Sequence, residues 1–145
     1  MSSTDEFVAT SSIAIDAAPA RVWRVITDTA AMREFFFGSE VVTDWEVGGP
    51  IVWRGIWEGK PYEDKGVILE FEPGSRLVTT HFSPLTGQPD VPENYHTLTW
   101  TLEVAGSGTV LTLSQDNNGS AEGAAHSKSM WDRLVASVKE IAERE

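Results

Sequence analysis

The feature that most constrains the fold is the placement of the helices at the two ends of a chain that otherwise reads as strands and turns. A strand over residues 8–15 leads into two short helices, one over 21–26 and one between Asp28 and Gly38. A single long amphipathic helix, from Ala121 to about Ala142, closes the chain. The sheet between them has this one long helix as its obvious cover. We therefore expect a pocket beneath the helix.

The helix boundaries rest on capping residues. Asp16 offers a side-chain oxygen ahead of Pro19, a combination that is typical of a helix start. Asp28 is expected to cap the second helix, and Gly38 is expected to end it. For the last helix, the sequence offers either Ser120 or Asn118 as the cap.

Turn signals divide the middle of the chain into antiparallel strands. With the first strand they make seven, the other six covering 40–46, 51–58, 62–72, 75–82, 94–104 and 109–116. One connection, residues 83–93, is long and contains three prolines and a glycine, so it is expected to form an ordered but irregular loop beside a binding site. We expect residues 1–6 to be disordered and residues 7–145 to form one domain.

The composition excludes several classes of function. Twenty-two acidic and eleven basic residues give the 145-residue chain a formal charge of −11, which disfavours nucleic acid as a partner. The chain has no cysteine and no long apolar run, so thiolate chemistry and insertion into a membrane are not expected. We expect a cytoplasmic protein, a monomer or weak homodimer, without a cofactor or bound metal.

Five motifs of the chain, taken together, resemble those of a known superfamily. They are Ile-x-Ile-x-Ala from Ile13, Val-Trp-x-x-Ile-Thr-Asp from Val22, the turn Asp44–Gly49, the segment Gly66–Phe71 and a C-terminal helix with Trp131-x-x-Leu. Their order is similar to that of the SRPBCC superfamily, which includes START domains and birch pollen allergen. More narrowly, the chain resembles the bacterial branch named after the C-terminal domain of the activator of the heat-shock-protein-90 ATPase.

The resemblance implies an α+β helix-grip (Bet v 1-like) fold. In this fold a curved seven-stranded antiparallel sheet is wrapped around the long C-terminal helix, and two short helices after strand 1 close one end of a hydrophobic cavity. The chain departs from many relatives at Met130, where glycine is common, and at Gln115, where histidine is frequent. Met130 is expected to narrow the cavity. The family name implies a fold and not a chaperone activity.

Aromatic residues are expected to line the inner face of the sheet. Alternation places the odd positions of the strand 51–58 and the even positions of the strand 94–104 on that face, among them Trp53, Trp57, His96 and Trp100. These side chains can fill the core. As a group, however, large flat rings facing a lone helix pack imperfectly, which leaves an apolar space of the kind that binds small molecules.

Fewer polar than aromatic side chains are expected at the mouth of the predicted pocket. If the strands on either side of the long loop pair with each other, His81 lies opposite His96. The two imidazoles then either make ordinary hydrogen bonds or bind a ligand. To bind a metal ion they would need Glu70 or His126 as a further ligand. Asp64 and its charged neighbours lie beside a turn and are expected to face water. Arg54 and Glu70 are kept as pocket candidates. No nucleophile elbow or phosphate loop is present.

The leading hypothesis is an intracellular binding protein for a small hydrophobic or aromatic molecule held between the sheet and the last helix. The alternatives are a cyclase- or aromatase-like enzyme of the same fold, which needs a buried acid or base, and a chaperone-related protein-interaction module, which needs an exposed apolar patch. No catalytic residue is assigned. The predicted ligand-binding residues are Phe35, Trp53, Trp57, Glu70, His81, His96, Trp100, Ser127, Met130 and Trp131.

Overall fold

The computed structural model describes residues 7–144, except for the side chains of Trp57 and Thr86. Its elements, in chain order, are β1 (Ala9–Ile15), α1 (Pro19–Ile26), α2 (Thr29–Phe35), β2 (Glu40–Thr43), β3 (Pro50–Trp57), β4 (Lys60–Glu72), β5 (Arg76–His81), β6 (His96–Ala105), β7 (Gly108–Gln115) and α3 (Ala121–Arg144). The predicted disorder of residues 1–6 lies outside the described residues.

The seven strands form one antiparallel sheet in the order β1-β7-β6-β5-β4-β3-β2. The first strand pairs with the last, Ala9 opposite Gln115, and β2 forms the other edge. The long helix α3 packs on the inner face, chiefly over β1, and α1 and α2 pack beside it. The predicted α+β helix-grip fold, with its seven strands, two short helices and one long helix, is confirmed.

The helix ends follow local sequence with two exceptions, the predicted cap at Asp16 and the predicted end at Gly38. Helix α2 ends at Phe35, with Phe36 as its C-cap residue, so the prediction that Gly38 ends it is wrong. Asp28 caps α2 as predicted, since its carboxylate accepts the backbone N–H of Ala30 at 2.9 Å. The predicted cap at Asp16 is wrong. Residue Ala18 precedes α1 without a side-chain cap, and Pro19, whose missing N–H costs nothing at this position, starts the helix. The backbone N–H of Asp16 instead donates to Glu143 at 2.7 Å, which ties β1 to α3.

One face of α3 supplies much of the core. Its buried residues recur at helical spacing from Trp131 to Ala142, whereas Ser127 and Met130 are only half-buried. The first two turns of the helix are largely exposed, and Ser120 accepts the backbone N–H of Gly123 at 3.0 Å there. The second half of α3 therefore anchors the helix to the sheet, while the first half extends beyond it.

A break in the ladder between β4 and β5 sets the faces of both strands. At Gly66 the two strands approach so closely that a Cβ atom would lie 1.9 Å from the carbonyl oxygen of Thr80. The hydroxyl oxygen of Thr80 accepts the backbone N–H of Val67 at 2.9 Å, in place of a backbone–backbone hydrogen bond between β4 and β5. Further along, the register shifts between Ile68 and Glu70. Such a bulge moves the residues after it to the opposite face of the sheet.

The long loop between β5 and β6 is ordered, as predicted. It contains two single turns of 3-10 helix, Pro84–Thr86 and Pro92–Asn94. The ring of Tyr95 stacks on Phe82 with centroids 5.1 Å apart, and the Tyr95 hydroxyl donates to Asp90 at 2.6 Å. Asp90 also forms an ion pair with Lys65. The hydrogen bond from Lys65 and, to a smaller degree, the hydrogen bond from Tyr95 hold the pKa of Asp90 below its usual value.

Candidate functional site

Aromatic rings meet at the centre of the inner face. Phe36 stacks on Trp53 with centroids 6.0 Å apart and contacts Trp131 at 6.1 Å, while Phe35 packs edge-on against Trp100 at 6.1 Å. All five residues are buried. The structure thus brings together four predicted site residues, Phe35, Trp53, Trp100 and Trp131. Phe36, which sequence reasoning did not select, connects them.

These rings fill much of the space beneath α3 where the sequence predicted a wide pocket. Two clefts in the described part of the structure lie elsewhere, beside α2 and the edge strand β2. The first, of about 480 Å³, is lined by Arg24, Val25, Thr27, Asp28, Thr29, Ala31, Thr43 and Trp45, and the second, of about 360 Å³, by Thr29, Ala30, Arg33, Glu40 and Val41. None of the predicted ligand-binding residues with a described side chain lines either cleft.

Two histidines lie at one end of the aromatic group. His81 is directly opposite His96 in the register of β5 and β6, and their ring centroids are 6.1 Å apart. The His81 ring also packs edge-on against Trp53, with centroids 4.9 Å apart. The prediction that the two histidines share a face and lie within reach of each other is confirmed.

Asp64 holds His81 in place. Its Oδ2 lies 2.9 Å from His81 Nε2, and the two side chains are only 14% and 13% exposed. The prediction that Asp64 faces water is wrong. Asp64 has the same strand parity as the buried Gly66 and Ile68, and it lies opposite Trp53 across β3 and β4. The alternation of side chains along β4 was the signal in the sequence that could have placed Asp64 on the inner face.

Four buried polar atoms without a hydrogen-bond partner belong to this end of the inner face. Within residues 7–144, the unpartnered buried side-chain atoms are Trp53 Nε1, Asp64 Oδ1, Thr79 Oγ1 and His81 Nδ1. We call these four residues the polar patch. They lie on the three consecutive strands β3, β4 and β5, with Trp53 opposite Asp64 and with His81 two residues from Thr79 along β5. Buried polar groups in proteins nearly always have partners, so these four atoms distinguish this end of the inner face from the apolar remainder.

The hydrogen-bonding character of the patch follows from its chemistry. A carboxylate only accepts, so His81 Nε2 carries the proton towards Asp64. Asp64 Oδ1 is an acceptor, Trp53 Nε1 is a donor, and the Thr79 hydroxyl can do either. The patch can therefore bind a group that both donates and accepts.

His96 adds a neutral imidazole beside the patch. Its Nδ1 donates to the backbone carbonyl of Asp116 at 2.9 Å, so Nε2 has the lone pair. Burial, and to a smaller degree the nearby His81, lowers the pKa of His96 below its usual 6.5. The ring is thus uncharged at neutral pH.

This lowered pKa predicts a pH dependence of stability. The unfolded chain binds a proton at His96 at a higher pH than the folded chain does, so the contribution of His96 to stability is complete above about pH 6.5 and is lost as the pH falls below it. Urea unfolding at pH 7.5 and pH 5.5 measures the loss. His96→Asn, whose amide can still donate to Asp116, is expected to lose less stability over this interval than the wild type. An equal loss in both proteins would contradict the assignment.

Two charged candidates lie outside the patch. Glu70 is opposite Val78 and accepts from Arg76 Nε at 2.9 Å, on the outer face beyond the register shift. Arg54 Nε donates to Glu63 at 3.0 Å, also on the outer face, and both side chains are more than half exposed. The structure does not bring either residue to the histidines.

Three further predicted residues have separate surroundings. The Ser127 hydroxyl donates to Asn118 Oδ1 at 2.7 Å, which fastens α3 to the chain after β7. Met130 is half-buried beside Trp131, and Trp57 ends β3 with a side chain outside the described part. His126 is exposed on α3. Among the described residues, no group of three or more acidic or histidine side chains could hold a metal ion, and none of the helices is long and apolar enough to cross a membrane.

Comparisons with known proteins agree with this fold. The model of the family described as activator of Hsp90 ATPase homolog 1-like protein matches residues 16–143. A solution structure from Cytophaga hutchinsonii is 42% identical, with a TM-score of 0.83 and 94% of each chain covered. The Aha1 dimer from Colwellia psychrerythraea is 16% identical, with a TM-score of 0.73, and the match covers 94% of this chain and 96% of that one.

A third similar structure comes from a biosynthetic locus. It is DynU16, a protein of the dynemicin biosynthetic locus, at 18% identity and a TM-score of 0.78, covering 94% of this chain and 47% of that one. At this level of identity the likeness shows the fold alone. No curated protein matches the chain.

Proposed function

The chain belongs to the family of activator of Hsp90 ATPase homolog 1-like proteins, within the SRPBCC superfamily, and on this premise we propose that it binds a small aromatic molecule at the polar patch. The ring of this ligand packs beside Trp53 and His81, and its polar substituent hydrogen-bonds to the unpartnered atoms. The proposal refines the sequence hypothesis, because it moves the ligand from the centre of the inner face to its histidine end.

The observation that carries the proposal is the set of four unpartnered polar atoms at one end of an aromatic group. Leaving each such atom without a partner costs roughly 1–3 kcal/mol, so a site of this kind is unfavourable unless something fills it. Trp53 and Thr79 are both 2% exposed. Their polar atoms are therefore shielded from bulk water, and a ligand or a bound water must supply the partners.

The neighbouring rings explain why an aromatic ligand fits. Trp53 stacks on Phe36 and contacts His81 in the edge-to-face arrangement that aromatic pairs favour. A ligand that hides ~250 Å² of apolar surface gains roughly 6 kcal/mol before the costs of association. Micromolar affinity is expected once hydrogen bonds to the patch are added.

A titration with aromatic polyketides, flavonoids and fatty acids tests the proposal. A ligand bound beside Trp53 is expected to change the tryptophan emission and to raise the melting temperature, since it binds only the folded state. Trp53→Leu is expected to abolish the emission change and weaken binding. The matched control is Trp45→Leu, because Trp45 packs with Phe71 away from the histidines and its loss leaves the site intact.

The proposal fails if no compound in the panel changes either signal. It also fails if Trp53→Leu and Trp45→Leu reduce binding equally, because the ligand would then not depend on the polar patch.

A second candidate function has its own observation. The outer face of β2, β3 and β4 exposes large apolar side chains, with Val42 48%, Ile56 69%, Val67 38% and Leu69 45% exposed. Exposed apolar side chains occur at protein contacts, and association of two copies is one way to cover them. Sedimentation velocity tests this: association that Val42→Lys abolishes would favour an interaction module, and a monomer at all concentrations would not.

A further inference from the structure

We propose that the first cleft, beside the junction of α1 and α2, binds a free α-amino acid with an aromatic side chain. In this site Arg24 binds the carboxylate of the ligand, Asp28 accepts a hydrogen bond from its ammonium group, and Trp45 packs against its ring. The site is separate from the polar patch and depends on different residues.

The cleft has the size and the composition of a small-molecule site. Its volume of about 480 Å³ falls within the range of ligand pockets, about 300–1,000 Å³. Val25, Ala31 and Trp45 supply apolar surface, three threonines supply hydroxyl groups, and Arg24 and Asp28 supply one charge of each sign. A ligand that matches this lining has an apolar part and carries both charges.

Trp45 is held in place with its ring at the wall of the cleft. The ring packs on Phe71, with centroids 5.9 Å apart, and Phe71 packs in turn on Trp23. The backbone of Trp45 is left-handed, with φ of 61°, which is rare for a bulky residue. The Thr43 hydroxyl oxygen accepts its N–H at 3.1 Å in this conformation. Strained conformations cluster at functional sites, and here the strain fixes a half-buried aromatic surface that faces a ligand.

Arg24 is the cation that is free to bind a carboxylate. It is exposed in the last turn of α1, and within residues 7–144 no ion pair, hydrogen bond or ring contact engages its guanidinium. Arg33, in the neighbouring cleft, instead forms an ion pair with Glu40 at 3.9 Å. The planar guanidinium has five N–H donors and matches the two oxygens of a carboxylate.

Asp28 adds the opposite charge and so selects a zwitterion. Its Oδ1 accepts the N–H of Ala30 and caps α2, whereas Oδ2 has no partner among the described residues. Arg24 and Asp28 line the same cleft without an ion pair between them. Asp28 repels a simple anion, and Arg24 repels a simple cation. An amino acid satisfies both groups, and because it has no net charge the formal charge of −11 on the chain does not repel it.

Three compounds with the same ring separate the two charges. They are L-phenylalanine, 3-phenylpropionate, which lacks the ammonium group, and 2-phenylethylamine, which lacks the carboxylate. The measurement is an NMR titration that follows the indole N–H of Trp45, assigned with Trp45→Phe. Because the cleft is open to solvent, we expect a Kd of about 1 mM for L-phenylalanine. Each analogue is expected to bind about fivefold more weakly, the effect of one exposed ion pair.

Two charge variants assign the contacts. Arg24→Gln is expected to weaken the binding of L-phenylalanine about fivefold without weakening that of 2-phenylethylamine. Asp28→Asn keeps the helix cap, because an amide oxygen also accepts the Ala30 N–H. It is expected to weaken the binding of L-phenylalanine to a similar degree without weakening that of 3-phenylpropionate. The matched control is Arg33→Gln, which removes an exposed arginine of the neighbouring cleft and is expected to leave all three affinities unchanged.

The outcomes separate this site from the polar patch. Equal affinities for the three compounds, or no binding of L-phenylalanine, overturn the proposal. Equal weakening in Arg33→Gln and Arg24→Gln also overturns it. A shift of the Trp53 indole in place of the Trp45 indole overturns the placement in the cleft and favours the polar patch instead. Failure at the cleft leaves the proposed function standing, since Trp53→Leu tests that site independently.

Discussion

Replacing Trp131 by alanine is expected to lower the free energy of unfolding by about 3–5 kcal/mol. Trp131 is 4% exposed at the start of the buried face of α3, and its ring contacts Phe36. Its indole Nε1 also donates to Gln115 Oε1 at 3.3 Å. Truncation therefore leaves a cavity among the aromatic residues and a buried amide oxygen without its donor.

Urea unfolding of Trp131→Ala and of Arg133→Ala measures this effect. Arg133 is exposed on the same helix, so its truncation is expected to change stability by less than about 0.5 kcal/mol. A loss below about 1 kcal/mol in Trp131→Ala would contradict the view that this residue anchors α3 to the sheet.

Replacing Gly66 by alanine is expected to lower stability by about 3 kcal/mol, at the upper end of the range for overpacking. The added Cβ would lie 1.9 Å from the Thr80 carbonyl oxygen, which belongs to the backbone of β5 and cannot rotate away. The strands must separate at this point. Because Gly66 lies between Asp64 and Ile68 on the inner face, the separation is also expected to disturb the contact of Asp64 with His81.

The control for Gly66→Ala is Val67→Ala, at the next residue and 38% exposed on the outer face. This variant is expected to lose about 1 kcal/mol or less, since little buried surface is removed. If Gly66→Ala were as stable as Val67→Ala, the close approach of the two strands would not be a fixed feature of the fold. The glycine that opens the Gly66–Phe71 motif would then need another explanation.

The pairing of the histidines could be predicted from the sequence because it depends on two strong signals. Strands that follow each other along a loop usually pair, and strict alternation then puts His81 and His96 on the same face. The cap at Asp28 was predictable for a similar reason, since it depends only on local chemistry. The features of this fold that depend on local capping or on strict alternation along a strand can therefore be predicted directly from the sequence.

The positions of Asp64 and Glu70 could not be predicted as easily. Both have the parity of Ile68, but the register shift between Ile68 and Glu70 moves Glu70 to the outer face, where it pairs with Arg76. A bulge leaves no clear mark in a single sequence. Asp64 lies near a turn, which suggested exposure, although it has the parity of the buried Gly66 and Ile68.

The role of Phe36 depends on geometry that begins after α2 ends. Three phenylalanines follow each other, and helical periodicity cannot decide which of them faces the core. The helix ends at Phe35, and Phe37 adopts a left-handed conformation with φ of 54°, which leaves Phe37 48% exposed. Phe36 therefore points inwards and joins Trp53 to Trp131. This tertiary detail, rather than residue type, determines how the aromatic residues fill the inner face.

The most direct test of ligand binding at the polar patch is an NMR titration that follows the indole N–H of Trp53, assigned with Trp53→Phe. With saturating 2-naphthol, the account predicts a large downfield shift of the Trp53 indole proton as it gains a hydrogen-bond partner. The indole proton of Trp45, which packs with Phe71, is expected to stay unchanged. A Trp53 signal that does not move while another indole shifts, or no shift at any indole, would contradict the account.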